Sequence, residues 1–198
     1  MLNGAITAPQ LGTATRVNFT WQHSELLTAM VRKIGGTQYL WTCHQIGVNS
    51  AGNNDSPPTG TGPADRSGIE WFKIQTSPSV SITENNRIYD IAATNPKFYY
   101  VPSLAVNNNG DMVVGFSGSS ANDYIGAYYS GRRNDGSIPS TPIRYYAGQG
   151  PITFPQDLRW GDYSNTSLDP DGLSIWTIQE YAEPNNHWGT RFAAITPY

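Results

Sequence analysis

Apolar and polar residues alternate in three similar strand–turn–strand segments of the chain. Residues 40–45 read Leu-Trp-Thr-Cys-His-Gln, residues 175–180 read Ile-Trp-Thr-Ile-Gln-Glu, and residues 114–117 match them more loosely as Val-Gly-Phe-Ser. Each phrase follows a glycine-containing turn and precedes a second strand rich in aromatic residues. Period-two alternation is typical of β-strands. A unit that recurs on this scale favours stacked or radial β-modules.

A further strand is predicted before each turn, at residues 27–32, 103–106 and 165–168. Apolar residues within 25–33 also show some helical periodicity. We nevertheless predict a strand there, because the same arrangement fits all three segments.

The spacing of the three phrases, roughly 60 to 75 residues, leaves room for four strands and one long loop in each unit. We therefore predict an all-β fold, a β-propeller-like array of about three four-stranded blades in a single domain, 1–198. The blade-like units span about 20–90, 91–150 and 151–198. Propellers usually close with about four to eight blades. The array is therefore part of a larger propeller, or is completed by dimerisation, or packs as something other than a propeller. Its open strand edges could mediate homo-oligomer formation.

Composition supports this fold class and excludes some partners. The chain of 198 residues contains 20 Gly and 14 Pro, and 12% of its residues are aromatic, which is the balance of a turn-rich β protein. A net charge of −3 argues against binding to a nucleic-acid backbone. No apolar run approaches the about 20 residues that a transmembrane helix needs, and residues 1–10 do not resemble a signal peptide.

Cysteine and histidine give no sign of a metal centre. The single cysteine, Cys43, lies among apolar residues of a predicted strand, where core packing is expected. His44 is either a hydrogen-bonded strand residue or a ligand or base, while His23 and His187 lack metal-ligand spacing. We therefore expect neither a metal nor a cofactor. Residues 169–172, Asp-Pro-Asp-Gly, resemble a calcium loop only superficially and favour a hairpin turn. Calcium elsewhere is supported by no motif.

Several phrases carry a family resemblance. Residues 100–111, 159–164, 176–182 and 188–191 resemble secreted bacterial proteins described as sialidase-like, or BNR/Asp-box, β-propeller proteins, specifically their C-terminal part. The resemblance implies a propeller fold and an extracellular or periplasmic location. Ser167, Asp169, Gly172, Ser174 and Trp176 follow the order of an Asp box, with one residue inserted before the glycine. In that family the box is structural.

The resemblance also implies a type of chemistry. Sialidases hold a substrate carboxylate with three arginines, attack with a Tyr/Glu pair and use an Asp as acid/base. Arginines are available here, among them Arg132 and Arg159, but they do not map individually onto the sialidase pattern.

The densest polar and aromatic cluster is residues 159–164, Arg-Trp-Gly-Asp-Tyr-Ser. Arg159 and Asp162 could contact a polar ligand while Trp160 or Tyr163 stacks on a sugar ring. Alternatively, an Arg159–Asp162 network fastens a loop and Trp160 belongs to the core.

Glu180 ends its strand at the position matched by Gln45, and could act as general acid/base with Asp162. The candidate catalytic residues are thus Asp162, Glu180 and Tyr163. The candidate binding residues are Arg159, Trp160, His44, Arg132 and Trp188.

Three functions stay open at this point. The first is an extracytoplasmic module that binds glycan or another polymer through aromatic, Asn, Asp and Arg groups on one face. The long polar loop at residues 49–65 is either a binding element or a disordered spacer. The second is a glycoside hydrolase that uses an Asp/Glu pair. The third is a structural or assembly module without catalytic activity.

Overall fold

All regular secondary structure among the described residues is β-strand. The computed structural model describes residues 7–18, 25–26, 28–53, 64–137, 141–153 and 159–196, and within them it contains strands but no helix. The strands are β1 Ala8–Gln10, β2 Thr13–Val17, β3 Thr28–Ile34, β4 Thr37–Val48, β5 Arg66–Gln75, β6 Ser81–Ile88, β7 Phe98–Val106, β8 Met112–Ser120, β9 Asp123–Arg132, β10 Ile143–Tyr146, β11 Asn165–Leu168, β12 Ile175–Glu183 and β13 His187–Ile195.

The strands form four antiparallel sheets, and within each sheet strands that are consecutive in the sequence pair with each other. The first sheet has the order β3-β4-β5-β6, the second β7-β8-β9-β10 and the third β11-β12-β13, and β1 pairs with β2 in a small separate ribbon. The predicted all-β class is confirmed. The third sheet has three strands within the described residues, where four were predicted. Residues 54–63, most of the predicted long loop, and His23 lie outside the described residues.

The segment with helical periodicity is a strand, as predicted. β3 pairs with β4, with Val31 opposite Leu40 and Ile34 opposite Thr37. Gly35 and Gly36 connect the two strands with φ of 55° and 87°. Two successive left-handed residues form the tight hairpin turn that matches the twist of the flanking strands, and glycine adopts this conformation without steric cost.

The sheets stack on one another in chain order. In the first sheet, β4 and β5 pack against β7 of the second sheet, and β8 and β9 of the second sheet pack against β12 of the third. The core between the first and second sheets consists of Trp41, Cys43, Ile69, Trp71, Ile88, Tyr99, Leu104, Val106, Met112, Val114, Phe116 and Tyr128. The core between the second and third sheets includes Ala105, Val113 and Ile175.

The second sheet therefore has neighbours on both faces. Every residue of β7 and β8 is buried, because alternate side chains point into one core or the other. Cys43 lies in the first of these cores, as predicted, and burial raises the pKa of its thiol.

One turn geometry recurs at four connections. In residues 49–53, 107–111 and 133–137, the first residue donates its N–H to the carbonyl of the fifth, and the N–H of a glycine at the fourth position bonds back to the first. The turn at residues 169–174 is the same with one more residue after the glycine. All four glycines have φ between 76° and 90°. This left-handed φ explains why glycine occupies the same place each time.

Candidate functional site

A tryptophan anchors the polar loop at residues 159–162 to the core. Trp160 is buried, and its Nε1 donates a hydrogen bond to Ser117 Oγ at 3.1 Å. The Ser117 hydroxyl in turn donates to the backbone carbonyl of Glu180 at 3.0 Å. The loop is therefore fixed against β8 and β12, which hold Ser117 and Glu180.

The loop borders a cavity of about 350 Å³. The cavity is lined by Arg159, Trp160, Gly161, Asp162, Glu180 and Trp188. Five of these six residues are sequence-predicted site residues, and strand pairing explains how they meet. Trp188 lies opposite Ala182 in the β12–β13 hairpin, close to Glu180, while the loop brings Asp162 to the same place.

The mouth of the cavity carries an ion pair. Arg159 Nη2 lies 3.2 Å from Asp162 Oδ1, and both side chains are well exposed. An exposed pair of this kind contributes little to stability. Both groups are accessible to a ligand from solvent. The pairing fits both sequence interpretations, since it closes a short loop and also orients two polar groups at the cavity.

Glu180 lies deeper in the cavity than Asp162. Burial raises the pKa of the Glu180 carboxyl, and the nearby Asp162 carboxylate raises it further. Gly161 has a φ of 58°, and a Cβ at this position would lie 3.1 Å from Glu180 Oε2. The left-handed φ favours glycine at this position, and the absence of a Cβ leaves room for the Glu180 carboxyl beside the loop.

Trp188 provides a flat apolar surface at the cavity. Its side chain is 61% exposed, although it is one of the largest apolar groups of the chain. An exposed indole next to an arginine and two carboxylates combines a stacking surface with hydrogen-bonding groups. This is the type of lining that ligand-binding clefts use.

The remaining predicted site residues lie elsewhere. Tyr163 is exposed and does not line the cavity. His44 lies on the first sheet, where its Nε2 is 3.2 Å from Glu70 Oε2, and Arg87 Nε donates to the other Glu70 oxygen at 2.8 Å. The hydrogen bond from His44 lowers the pKa of Glu70, with a further contribution from Arg87.

Arg132 is buried at the junction of the first and second sheets. Its Nε and Nη2 donate to the two oxygens of Glu84 at 2.6 and 2.7 Å, and Lys73 Nζ lies 3.0 Å from the same carboxylate. This bidentate pair joins β9 to β6. The geometry gives Arg132 a structural contact between sheets, away from the cavity lined by Arg159 and Glu180.

A tyrosine–carboxylate pair was not singled out from the sequence. Tyr181 Oη donates to Glu183 Oε1 at 2.5 Å, and this hydrogen bond is the main reason that the pKa of Tyr181 rises to about 12. The phenol therefore stays protonated at neutral pH. The two residues are i and i+2 on β12, a spacing that identifies neighbours on one strand face.

The Asp-box-like segment forms the hairpin turn that its sequence favours. Asp171 Oδ1 accepts hydrogen bonds from the N–H groups of Leu173 and Ser174 at 2.7 and 2.8 Å. Trp176 Nε1 donates to Asp169 Oδ2 at 2.6 Å. These carboxylates serve backbone and indole donors. Within the described ranges, no group of three His, Cys, Asp or Glu side chains could hold a metal ion.

Comparisons of the chain with protein-family models, curated proteins and solved structures found no significant match. Among the residues that the structure describes, no helix is long and apolar enough to cross a membrane.

Proposed function

We propose that this protein is an extracytoplasmic β-propeller-like module that binds glycan in the cavity between Asp162, Glu180 and Trp188. The observation that carries the proposal is the meeting of an exposed indole, a guanidinium and two carboxylates around one cavity of about 350 Å³. This volume falls in the range of small-molecule sites, about 300–1,000 Å³. The propeller-like arrangement is supported by three antiparallel sheets that stack face to face in chain order.

The chemistry of a sugar matches the lining of the cavity. The apolar face of a pyranose stacks on an exposed indole such as Trp188, while its hydroxyls pair with charged groups such as Arg159 and Asp162. The resemblance to secreted sialidase-like proteins supports the same ligand class and an extracellular or periplasmic location.

A glycan array followed by affinity electrophoresis tests the binding proposal. We expect retention by at least one polysaccharide, lost in Trp188→Ala and weakened in Arg159→Ala. Ile91→Ala is the control, because Ile91 is also exposed but does not line the cavity. Absence of retention on every polysaccharide would remove the proposal, as would equal retention of the Trp188→Ala variant.

The second candidate is a glycoside hydrolase in which Glu180 acts as general acid and Asp162 is its partner. The raised pKa of Glu180 beside a second carboxylate favours it, because glycoside hydrolysis requires one protonated and one ionised carboxyl group. Turnover of aryl glycosides should then disappear in Glu180→Gln and in Asp162→Asn, with folding intact. Asp135→Asn, on an exposed turn, should retain full turnover. A wild-type protein inactive on a broad substrate panel counts against catalysis but leaves the binding proposal intact.

A further inference from the structure

Each end of the stack of three sheets has an exposed apolar face. The equivalent face of another sheet in the same chain is buried. We call the face of a sheet that points toward the following sheet its leading face, and the opposite one its trailing face. Trp41, Cys43 and Trp71 lie on the leading face of the first sheet, against the second sheet. Leu104 and Val114 lie on the trailing face of the second sheet, in the same core.

The leading face of the third sheet repeats the leading face of the first. Residues 175–180 match residues 40–45 in sequence, which places Trp176 at the position of Trp41 and Ile178 at that of Cys43. The cross-strand neighbours also match, since Trp71 lies opposite Cys43 and Phe192 lies opposite Ile178. The rings of Trp41 and Trp71 are 6.1 Å apart, and those of Trp176 and Phe192 are 6.0 Å apart.

The leading faces of the first and third sheets differ in how much of their side chains is buried. Trp41 and Trp71 are 0% and 2% exposed under the second sheet, whereas Trp176 and Phe192 are 37% and 66% exposed. Ile178 is also exposed, while Cys43 is fully buried. Burying such side chains removes apolar surface from water, which is favourable. The third sheet thus has a preformed apolar face suited to a covering sheet.

The other end of the stack offers a matching trailing face. Val31 pairs with Leu40 in the first sheet as Leu104 pairs with Val114 in the second. Val31 is 49% exposed, whereas Leu104 is 0% exposed. The apolar row continues through Leu40 and Ile74 to the exposed Ile82 on β6. Within the residues that the structure describes, no sheet packs on the trailing face of the first sheet, whereas the first sheet itself packs on that of the second.

Charge at the hairpin ends is complementary between the two faces. The turns of successive sheets lie side by side, because Ile34 approaches Gly110 and Asn108 N–H bonds to the carbonyl of Gly172. If the first sheet of another copy packed on the third sheet with its turn in the same relative position, Lys33 would lie near the carboxylates of Asp169 and Asp171. Lys33 is exposed and lies beside the first hairpin turn.

We propose that the leading face of the third sheet is covered by the trailing face of the first sheet of a second copy of this chain. One chain carries both faces, so the same contact made twice joins two copies into a closed ring of six sheets. That number falls within the about four to eight blades with which propellers close. Contact is through sheet faces, rather than through the open strand edges expected from the sequence. By strand alternation, Glu180 lies on the same face of β12 as Ile178, and Trp188 lies on the same face of β13 as Phe192, so the second copy would border the cavity.

Light scattering coupled to gel filtration, over a wide dilution series of the full chain, tests the proposal. We expect a particle of twice the chain mass. Ile178→Glu and Val31→Glu each introduce a charge into one of the two faces, at exposed positions, and each should give a monomer with an unchanged circular dichroism spectrum. Ile91→Glu, which adds the same charge at an exposed position outside both faces, should remain a dimer.

A mixture of the two monomeric variants provides a second measurement. The Val31→Glu copy contributes an intact third sheet, and the Ile178→Glu copy contributes an intact first sheet. One unaltered contact should therefore form and restore part of the dimer. A wild-type chain that is monomeric at every concentration would overturn the proposal, as expected if further sheets of a longer chain cover these faces. A dimer broken by Ile178→Glu but not by Val31→Glu would also overturn it, because two third sheets would then face each other.

Discussion

Gly115 on β8 lies directly beneath the hydroxyl group of Thr177 on β12. A Cβ at Gly115 would lie 1.9 Å from Thr177 Oγ1 and 2.4 Å from Gln179 Nε2. Thr177 Oγ1 is itself held in a buried network, with Thr166 Oγ1 and Gln179 Nε2 both at 2.9 Å. The absence of a side chain at Gly115 therefore permits the third sheet to approach the second so closely.

Gly115→Ala should destabilise the protein by about 1–3 kcal/mol, because the added methyl group forces the two sheets apart or breaks the hydroxyl network. Chemical denaturation monitored by tryptophan fluorescence measures the change. Thr177→Ala removes one of the clashing atoms, so the double variant should be less destabilised than the sum of the two single variants. Additive effects would show that the two residues do not interact.

Asn107→Ala should cost about 1–3 kcal/mol in the free energy of unfolding. The Asn107 side chain is buried and accepts hydrogen bonds from the N–H groups of Asn109 and Asp111. Its Nδ2 also donates to the carbonyl of Leu173 at 3.0 Å, which joins the turns of the second and third sheets. Asn109→Ala in the same turn is the matched control and should stay within about 0.5 kcal/mol of the wild type. Equal effects of the two substitutions would contradict this role.

Arg132→Lys should destabilise the fold by about 1.5–3 kcal/mol, because a lysine cannot reproduce the bidentate contact with Glu84. The neighbouring Arg133 is exposed, and Arg133→Lys should have no measurable effect. Thermal unfolding of both variants provides the comparison. If Arg132 were instead part of a ligand site, the substitution would reduce glycan retention while leaving the unfolding temperature unchanged.

Glu180 and Glu70 should give stability changes of opposite sign with pH. The folded-state pKa of Glu180 is raised above 4.5, so the folded protein binds the proton more tightly and loses stability relative to Glu180→Gln as pH rises from 4.5 through the raised value. The folded-state pKa of Glu70 is lowered, so its contribution is present above 4.5 and is lost as pH falls through the lowered value.

The measurement is the free energy of unfolding of the wild type minus that of each Glu→Gln variant, across the acidic to neutral range. The difference should fall with rising pH for Glu180→Gln and rise with pH for Glu70→Gln. A flat profile for Glu180→Gln would mean that burial and Asp162 do not act on this carboxyl group as the geometry indicates.

Local sequence indicated the strands and turns of the repeated hairpins, although it did not predict β1, β2, β6 or β10. Alternation of apolar residues around Trp41 and Trp176 predicted strands, and the glycines at 110 and 172 predicted the turns between them, because backbone conformation and side-chain period are local properties. At residues 28–34 the local periodicity was ambiguous, and the recurrence of the same arrangement in three segments correctly favoured a strand over a helix.

The candidate site was predicted only in part. Arg159, Trp160 and Asp162 are close in sequence, so their grouping was accessible from sequence alone. Glu180 and Trp188 were separate candidates, and only the β12–β13 hairpin and the loop packed on Ser117 bring them to the same cavity. The pairing of Arg132 with Glu84 was not accessible from the sequence, because Glu84 is 48 residues away in the chain.

The sequence by itself determined that this chain forms antiparallel hairpins with apolar faces and left-handed glycines at fixed turn positions, since these depend on neighbouring residues. Only the tertiary structure decided which of two equivalent tryptophans is buried and which is exposed. Whether a sheet face is covered depends on what packs against it, and residues distant in the chain set that contact. The alternation within a strand is the same for Trp41 and Trp176, and carries no information about the neighbouring sheet.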